Sequence, residues 1–250
     1  MFRIDPTYTS ENGILYNNVR NIHFDTLDEA KKGLGTYITQ TKPVGLDLDL
    51  FDELTYGIYL YKSSYDPKVA LRVYRDFYHY KYSGNIDERM VSKLQDRQKF
   101  VKLTEFPTGV VTIENKVIGQ EVPYYENYNT LRNVFNEKQH KKIPTYYYIE
   151  ILKILKELYA ADIVYSDIHG RNFILSAVDE TMKLIDFDDG YVKFDEDKKY
   201  HYTSMISNLK YLINKLNEMS QITFKDNFDK TQTLEEVEES ILEHHQKLIK

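Results

Sequence analysis

The chain has 250 residues, 42% of them hydrophobic, which is enough for one large domain or two small lobes and too apolar for a disordered chain. Its net charge of −6 is spread without a basic block, which argues against nucleic acid as the main partner. The absence of cysteine excludes a disulfide framework and a thiolate metal site, and no stretch approaches a membrane span.

Residues 1–50 carry no chemistry of their own and read as an N-terminal extension that adds a strand or a partner surface. Met1-Phe2-Arg3-Ile4-Asp5 lacks a signal-peptide core, so a cytoplasmic setting is expected, with delivery into another cell as an open alternative. Residues 56–61 and 69–74 are β-branched and aromatic runs separated by the turn-forming Ser63-Ser64-Tyr65-Asp66-Pro67, so they predict a hairpin. Met90, Val91 and Leu94 at helical spacing predict a helix over 86–98. Strands follow at 108–113 and 116–122, around a turn at Glu114-Asn115.

The second half reads mainly as helix. Residues 145–160 put Ile149, Leu152, Leu155 and Tyr159 on one face, after Pro144 and a threonine cap. Residues 202–219 repeat the pattern with Ile206, Leu209, Leu212, Ile213 and Leu216. Thr233-Leu234-Glu235-Glu236 is a capping box that opens a last amphipathic helix. Strands first and helices later make an α+β pattern.

The chemistry concentrates in Tyr165-Ser166-Asp167-Ile168-His169-Gly170-Arg171-Asn172 and in Lys183-Leu184-Ile185-Asp186-Phe187-Asp188. Asp167, Asn172 and Asp186 each adjoin a short apolar run that can hold a polar group rigidly at a cleft edge. One acid to accept a proton, plus an amide and a second acid to hold Mg²⁺, is the minimum equipment for moving a phosphoryl group from ATP.

These two segments resemble the catalytic loop and the metal-binding motif of the protein-kinase-like superfamily. Asp-x-x-x-x-Asn and Asp-Phe are kept; Tyr165-Ser166 stand where the family has His-Arg, and Asp188 where it has glycine. His169 stands where aminoglycoside-type kinases usually have histidine. The resemblance implies a two-lobed fold, with a β-rich N-lobe over 51–125, a reduced helical C-lobe over 126–250, and ATP in the cleft between them. It assigns Asp167 as base, His169 to the γ-phosphate, and Asn172 and Asp186 to Mg²⁺.

For the nucleotide, the resemblance points to Val69-Ala70-Leu71-Arg72, where Ala70 would face adenine and Arg72 the phosphates, with Arg replacing the usual Lys. A solvated strand-face charge is the other reading of Arg72. Glu88 is the candidate partner acid, although Asp87 adjoins it. Gly57 resembles the last glycine of a phosphate loop whose earlier positions are Asp52 and Leu54. Pro123 and Tyr125 resemble a hinge, Pro123 offering only a carbonyl and Tyr125 an N–H, and Ile174 joins the nucleotide pocket.

Only 42 residues separate Tyr125 from Asp167, too few for the substrate insertion usual in small-molecule kinases of this superfamily, so the resemblance favours a protein kinase, first of all for serine or threonine, with tyrosine, a small molecule and the chain itself as the other acceptors. Ser166 in place of arginine predicts no activation by loop phosphorylation. A pseudokinase, binding nucleotide without transfer, is the alternative; Arg72, the glycine-poor loop and Asp188 favour it.

Overall fold

The computed structural model describes residues 2–26, 29–30, 36–38, 58–74, 88–187, 192–194, 198–221 and 228–249. The chain is α+β and divides into two compact units, 1–99 with 106–125 and 100–105 with 126–250. Among the described residues no helix is long and apolar enough to cross a membrane.

The first unit is built on a mixed sheet. Its strands are β1 (Arg3–Asp5), β4 (Arg20–Phe24), β5 (Thr36–Ile38), β6 (Ile58–Lys62), β7 (Val69–Tyr74), β8 (Gly109–Ile113) and β9 (Lys116–Pro123), in the order β1-β4-β8-β9-β7-β6-β5. A small hairpin, β2 (Tyr8–Thr9) with β3 (Leu15–Tyr16), lies between β1 and β4 in sequence. Among the described strands only β4 and β8 run parallel, Arg20 opposite Gly109. The segment expected as an extension thus supplies three strands of this sheet, and Ile22 and Phe24 are fully buried in its core.

The β6–β7 and β8–β9 hairpins follow the sequence pattern. Glu114 and Asn115 both take left-handed backbone angles (φ 50° and 67°), which match the twist of a two-residue hairpin turn. Gly119 is required by a close approach: a Cβ there would stand within van der Waals overlap of the Arg72 carbonyl oxygen on β7.

One face of the sheet packs Leu71, Val73, Val111, Ile113 and Ile118 with Ile22 and Phe24. The other face meets α1 (Glu88–Arg97), whose Val91 packs with Val110, Val19 and Tyr8. Fully burying a side chain such as Val91 or Leu94 stabilises the fold by about 1.5–3 kcal/mol. At one end of β9 the buried Glu121 carboxylate accepts from Arg20 (2.6 Å), the Tyr65 hydroxyl (2.6 Å) and the Thr108 hydroxyl (2.5 Å). Burial, and then the Glu121 carboxylate, push the Tyr65 hydroxyl pKa well above its ordinary value.

The second unit combines short strands with helices. In chain order these are β10 (Tyr128–Thr130), α2 (Leu131–Asn136), α3 (Pro144–Ala160), β11 (Ile163–Tyr165), β12 (Phe173–Ser176), β13 (Met182–Leu184), β14 (Val192–Phe194), α4 (Lys198–Ser220) and α5 (Leu234–Ile249). β10, β12 and β13 form one antiparallel sheet, and β11 pairs with β14. The segment 100–105 belongs here because Thr104 bonds both the N–H and the carbonyl of Leu184 (3.0 and 3.1 Å).

Two details of α3 differ from the sequence expectation. Its N-cap is Ile143, with no side-chain cap, and Thr145 sits inside the first turn behind Pro144, which fits the first helical position since its missing N–H would be unpaired anyway. Its buried stripe runs through Tyr147, Tyr148, Ile151, Leu152, Ile154, Leu155 and Leu158, whereas Ile149 and Tyr159 are only half-buried. The stripe is wide because the helix packs against α4 and α5 as well as β11 and β13. In α4 the expected face, Ile206 to Leu216, is buried. The Thr233 cap holds, since its hydroxyl accepts from Glu236 N–H (3.1 Å), but the return bond of the expected capping box is displaced by one residue, the Glu236 carboxylate accepting from Gln232 N–H (2.6 Å).

Candidate functional site

The strands of the second unit bring the two motif segments together. β11 ends at the fully buried Tyr165, and the loop of residues 166–172 follows. β12 and β13 then pair with Phe173 opposite Leu184, which sets Asn172 beside Ile185. The Ile185 N–H donates to the Asn172 carbonyl (2.9 Å), locking the two segments side by side.

Asn172 is only 3% exposed, and its amide nitrogen is committed. Nδ2 lies 2.8 Å from Asp167 Oδ2, 3.0 Å from the Asp167 carbonyl and 2.7 Å from the Tyr165 hydroxyl. The Tyr165 hydroxyl in turn donates to the carbonyls of Asp186 (3.0 Å) and Ile185 (3.3 Å). One phenol therefore ties the amide candidate to the acid candidate. With Nδ2 spent, Oδ1 is the Asn172 atom left for a ligand.

Asp186 has a left-handed backbone (φ 71°). For a non-glycine residue this costs of order 1–3 kcal/mol and persists only where the surroundings impose it, a pattern typical of functional positions. Its surroundings include the Tyr165 hydroxyl on its carbonyl and the next ring, Phe187, which is buried with its centroid 5.4 Å from that of Tyr165.

His169 and Asp167 form a second contact. The Arg171 N–H donates to His169 Nδ1 (3.3 Å), so the ring proton belongs on Nε2, 3.3 Å from Asp167 Oδ2. Burial pushes the Asp167 carboxyl pKa up, but the His169 ring, the Asn172 amide and the Arg171 charge outweigh it and hold it below the usual carboxylate value. Asp167 is thus an ionised acceptor with Oδ2 shared by two donors.

The loop is anchored on both sides. Arg132 N–H in α2 donates to the Gly170 carbonyl (2.8 Å), and a Cβ on residue 170 would lie 3.2 Å from Arg132 Cβ, a tight contact that glycine relieves. Asn208 of α4 donates to the Ser166 carbonyl (2.6 Å). Ile174 is buried in the middle of its sheet, opposite Lys183 and Thr130.

The remaining candidates lie in the first unit. Ala70 and Arg72 share a face of β7, opposite Val122 and Gln120 of β9. Arg72 is buried at 7% exposure, so it is not a solvated strand-face charge. Among the described residues both polar ends of the buried Gln120 side chain lack a hydrogen-bond partner. Pro123 pairs with Val69, the next residue's N–H donating to the Lys68 carbonyl (2.8 Å), and Tyr125 closes the unit. Glu88 opens α1 and acts on Tyr8, whose pKa is pushed up to about 12, by burial first and by the Glu88 charge second. Gly57, together with Asp52, Leu54, Asp87 and Asp188, falls outside the described residues.

Sequence reasoning noted Tyr165 only as a replacement; its place two residues before Asp167 was the available signal. Asn208 carried none, because 42 residues separate it from Ser166. No protein-family model and no curated protein sequence matches this chain.

Proposed function

We propose that the chain is an ATP- and Mg²⁺-dependent phosphotransferase with a two-lobed, protein-kinase-like fold, acting on a serine or threonine hydroxyl of a protein. The observation that carries this reading is the joint at Tyr165, whose hydroxyl bonds both Asn172 Nδ2 and the Asp186 carbonyl while Asn172 also bonds Asp167. The side chains of Asn172 and Asp167, expected from the sequence as metal ligand and base, thus share one network with the backbone of Asp186, the second expected metal ligand.

The residues fit Mg²⁺. Asn172 Oδ1 and the Asp186 carboxylate are hard oxygen donors, and this ion is usually held by one or two carboxylates together with substrate phosphates. Among the described residues no cluster of three or more His, Asp or Glu could hold a metal unaided, so the phosphates of ATP would complete the shell. Mg²⁺ bound there supplies charge neutralisation along the phosphates.

Asp167 accepts the hydroxyl proton through Oδ1, since Oδ2 is engaged by Asn172 and His169. Its lowered pKa keeps it ionised at neutral pH, at some cost in basicity. His169 orients the carboxylate, and Arg72 grips the α- and β-phosphates. The competing reading, nucleotide binding without transfer, is favoured by the same His169 contact, which occupies one oxygen of the base.

Thermal shift with Mg-ATP tests the nucleotide. At a hundredfold excess over Kd, binding adds about 2.7 kcal/mol, or roughly 5–10 °C in a chain of this size. No shift refutes both readings. Transfer from γ-labelled ATP that falls about 10²–10⁴-fold in Asp167→Ala supports the phosphotransferase; a shift without transfer supports the binding module.

A further inference from the structure

Within the second unit a cavity of about 460 Å³ opens between α2, the loop of residues 166–172 and the C-terminal half of α4. That volume lies within the range of small-ligand sites. Its floor is apolar, formed by Ile168, Leu212 and Leu216, all buried. Its rim is cationic: Arg132, Arg171 and Lys215 line it from three different elements.

The neighbouring acids offset this charge only in part. Glu218 pairs with Lys215 at 2.8 Å, near the rim. Asp167 does not line the cavity and is held by His169, which does. Among the described residues the guanidinium groups of Arg132 and Arg171 form no hydrogen bond or ion pair, although the Arg171 charge acts on Asp167 at longer range. An apolar floor under two guanidinium groups that form no ion pair suits a ligand that is apolar at one end and anionic at the other.

We infer that this cavity binds a small organic anion with an apolar body, of the aryl phosphate or aryl carboxylate kind. The phosphate or carboxylate meets Arg132 and Arg171, and the ring lies on Leu212 and Leu216. His169 connects the cavity wall to Asp167, so occupancy is felt at the carboxylate. The site needs no nucleotide and stands or falls independently of phosphoryl transfer.

The probe is phenyl phosphate, titrated into protein carrying ¹³C-methyl methionine. Met219 lines the cavity, whereas Met90 belongs to the first unit and Met182 to β13, so these two report on folding and on unspecific effects. The expected result is a saturable shift confined to Met219. Phenol and inorganic phosphate, each supplying half of the recognition, bind at least about tenfold more weakly. Arg132→Gln combined with Arg171→Gln weakens phenyl phosphate by about tenfold or more while the Met90 and Met182 signals stay in place. A Met219 signal that does not move, an equal response to phenol, or undiminished binding in the double variant overturns the inference.

Discussion

Tyr165→Phe removes one oxygen from a fully buried ring and leaves its packing against Phe187 intact. The lost atom accepts from Asn172 Nδ2 at 2.7 Å and donates to the Asp186 carbonyl at 3.0 Å. Asn172 keeps both Asp167 acceptors, so its nitrogen is not stranded. The Asp186 carbonyl loses this donor, at a residue whose left-handed backbone depends on its surroundings. A buried group deprived of its partner costs about 1–3 kcal/mol, which lowers the melting temperature by roughly 2–12 °C in a chain of this size. Because the phenol only positions the proposed ligands, the Mg²⁺ dependence of ATP binding should also weaken about 10–100-fold, as for other residues that orient metal ligands. Thermal melts with and without Mg-ATP across a magnesium titration read both effects. A variant that melts like the wild type with unchanged magnesium dependence refutes the claim that Tyr165 joins the two segments.

Asp167 gives a pH prediction. Its pKa is lower in the folded chain than the ordinary 3.8, so the ionised carboxylate favours folding; that contribution is complete above the unfolded value and disappears as pH falls through the folded one. Urea titrations of wild type and Asp167→Asn should therefore differ most near neutrality and converge below about pH 4; a gap that widens on acidification contradicts the assignment. Glu121→Gln should cost about 3 kcal/mol, the low end for a broken buried ion pair because the partner Arg20 is 37% exposed, and denaturant unfolding measures it. A loss below about 0.5 kcal/mol would mean that the buried carboxylate is not the anchor of Arg20, Tyr65 and Thr108.

Alternation and helical spacing were legible from the residues themselves. The β6–β7 and β8–β9 hairpins, the long helices α3 and α4 and the Thr233 cap of α5 follow from short-range physics: side-chain period, turn chemistry and hydrogen bonds within a few residues. The α3 stripe was misjudged because several elements bury that helix, and a one-sided pattern cannot anticipate which faces they will cover. The place of β4 was equally hidden. Its parallel pairing with β8 joins residues about ninety positions apart, and nothing local encodes such a partner.

The site divides in the same way. Sequence alone singled out Asp167, Asn172 and Asp186, since their types and spacing carry the chemistry. Tertiary structure decided how they are held. The β12–β13 register set Asn172 beside Ile185, the Tyr165 hydroxyl bridged to Asp186, and His169 turned its Nε2 to Asp167. It also buried Arg72, for which the strand pattern had kept a solvated strand-face charge as the second reading. Residue type fixes what a side chain can donate, accept or titrate; only the packing of distant segments fixes which partner it meets and whether water is excluded when it does.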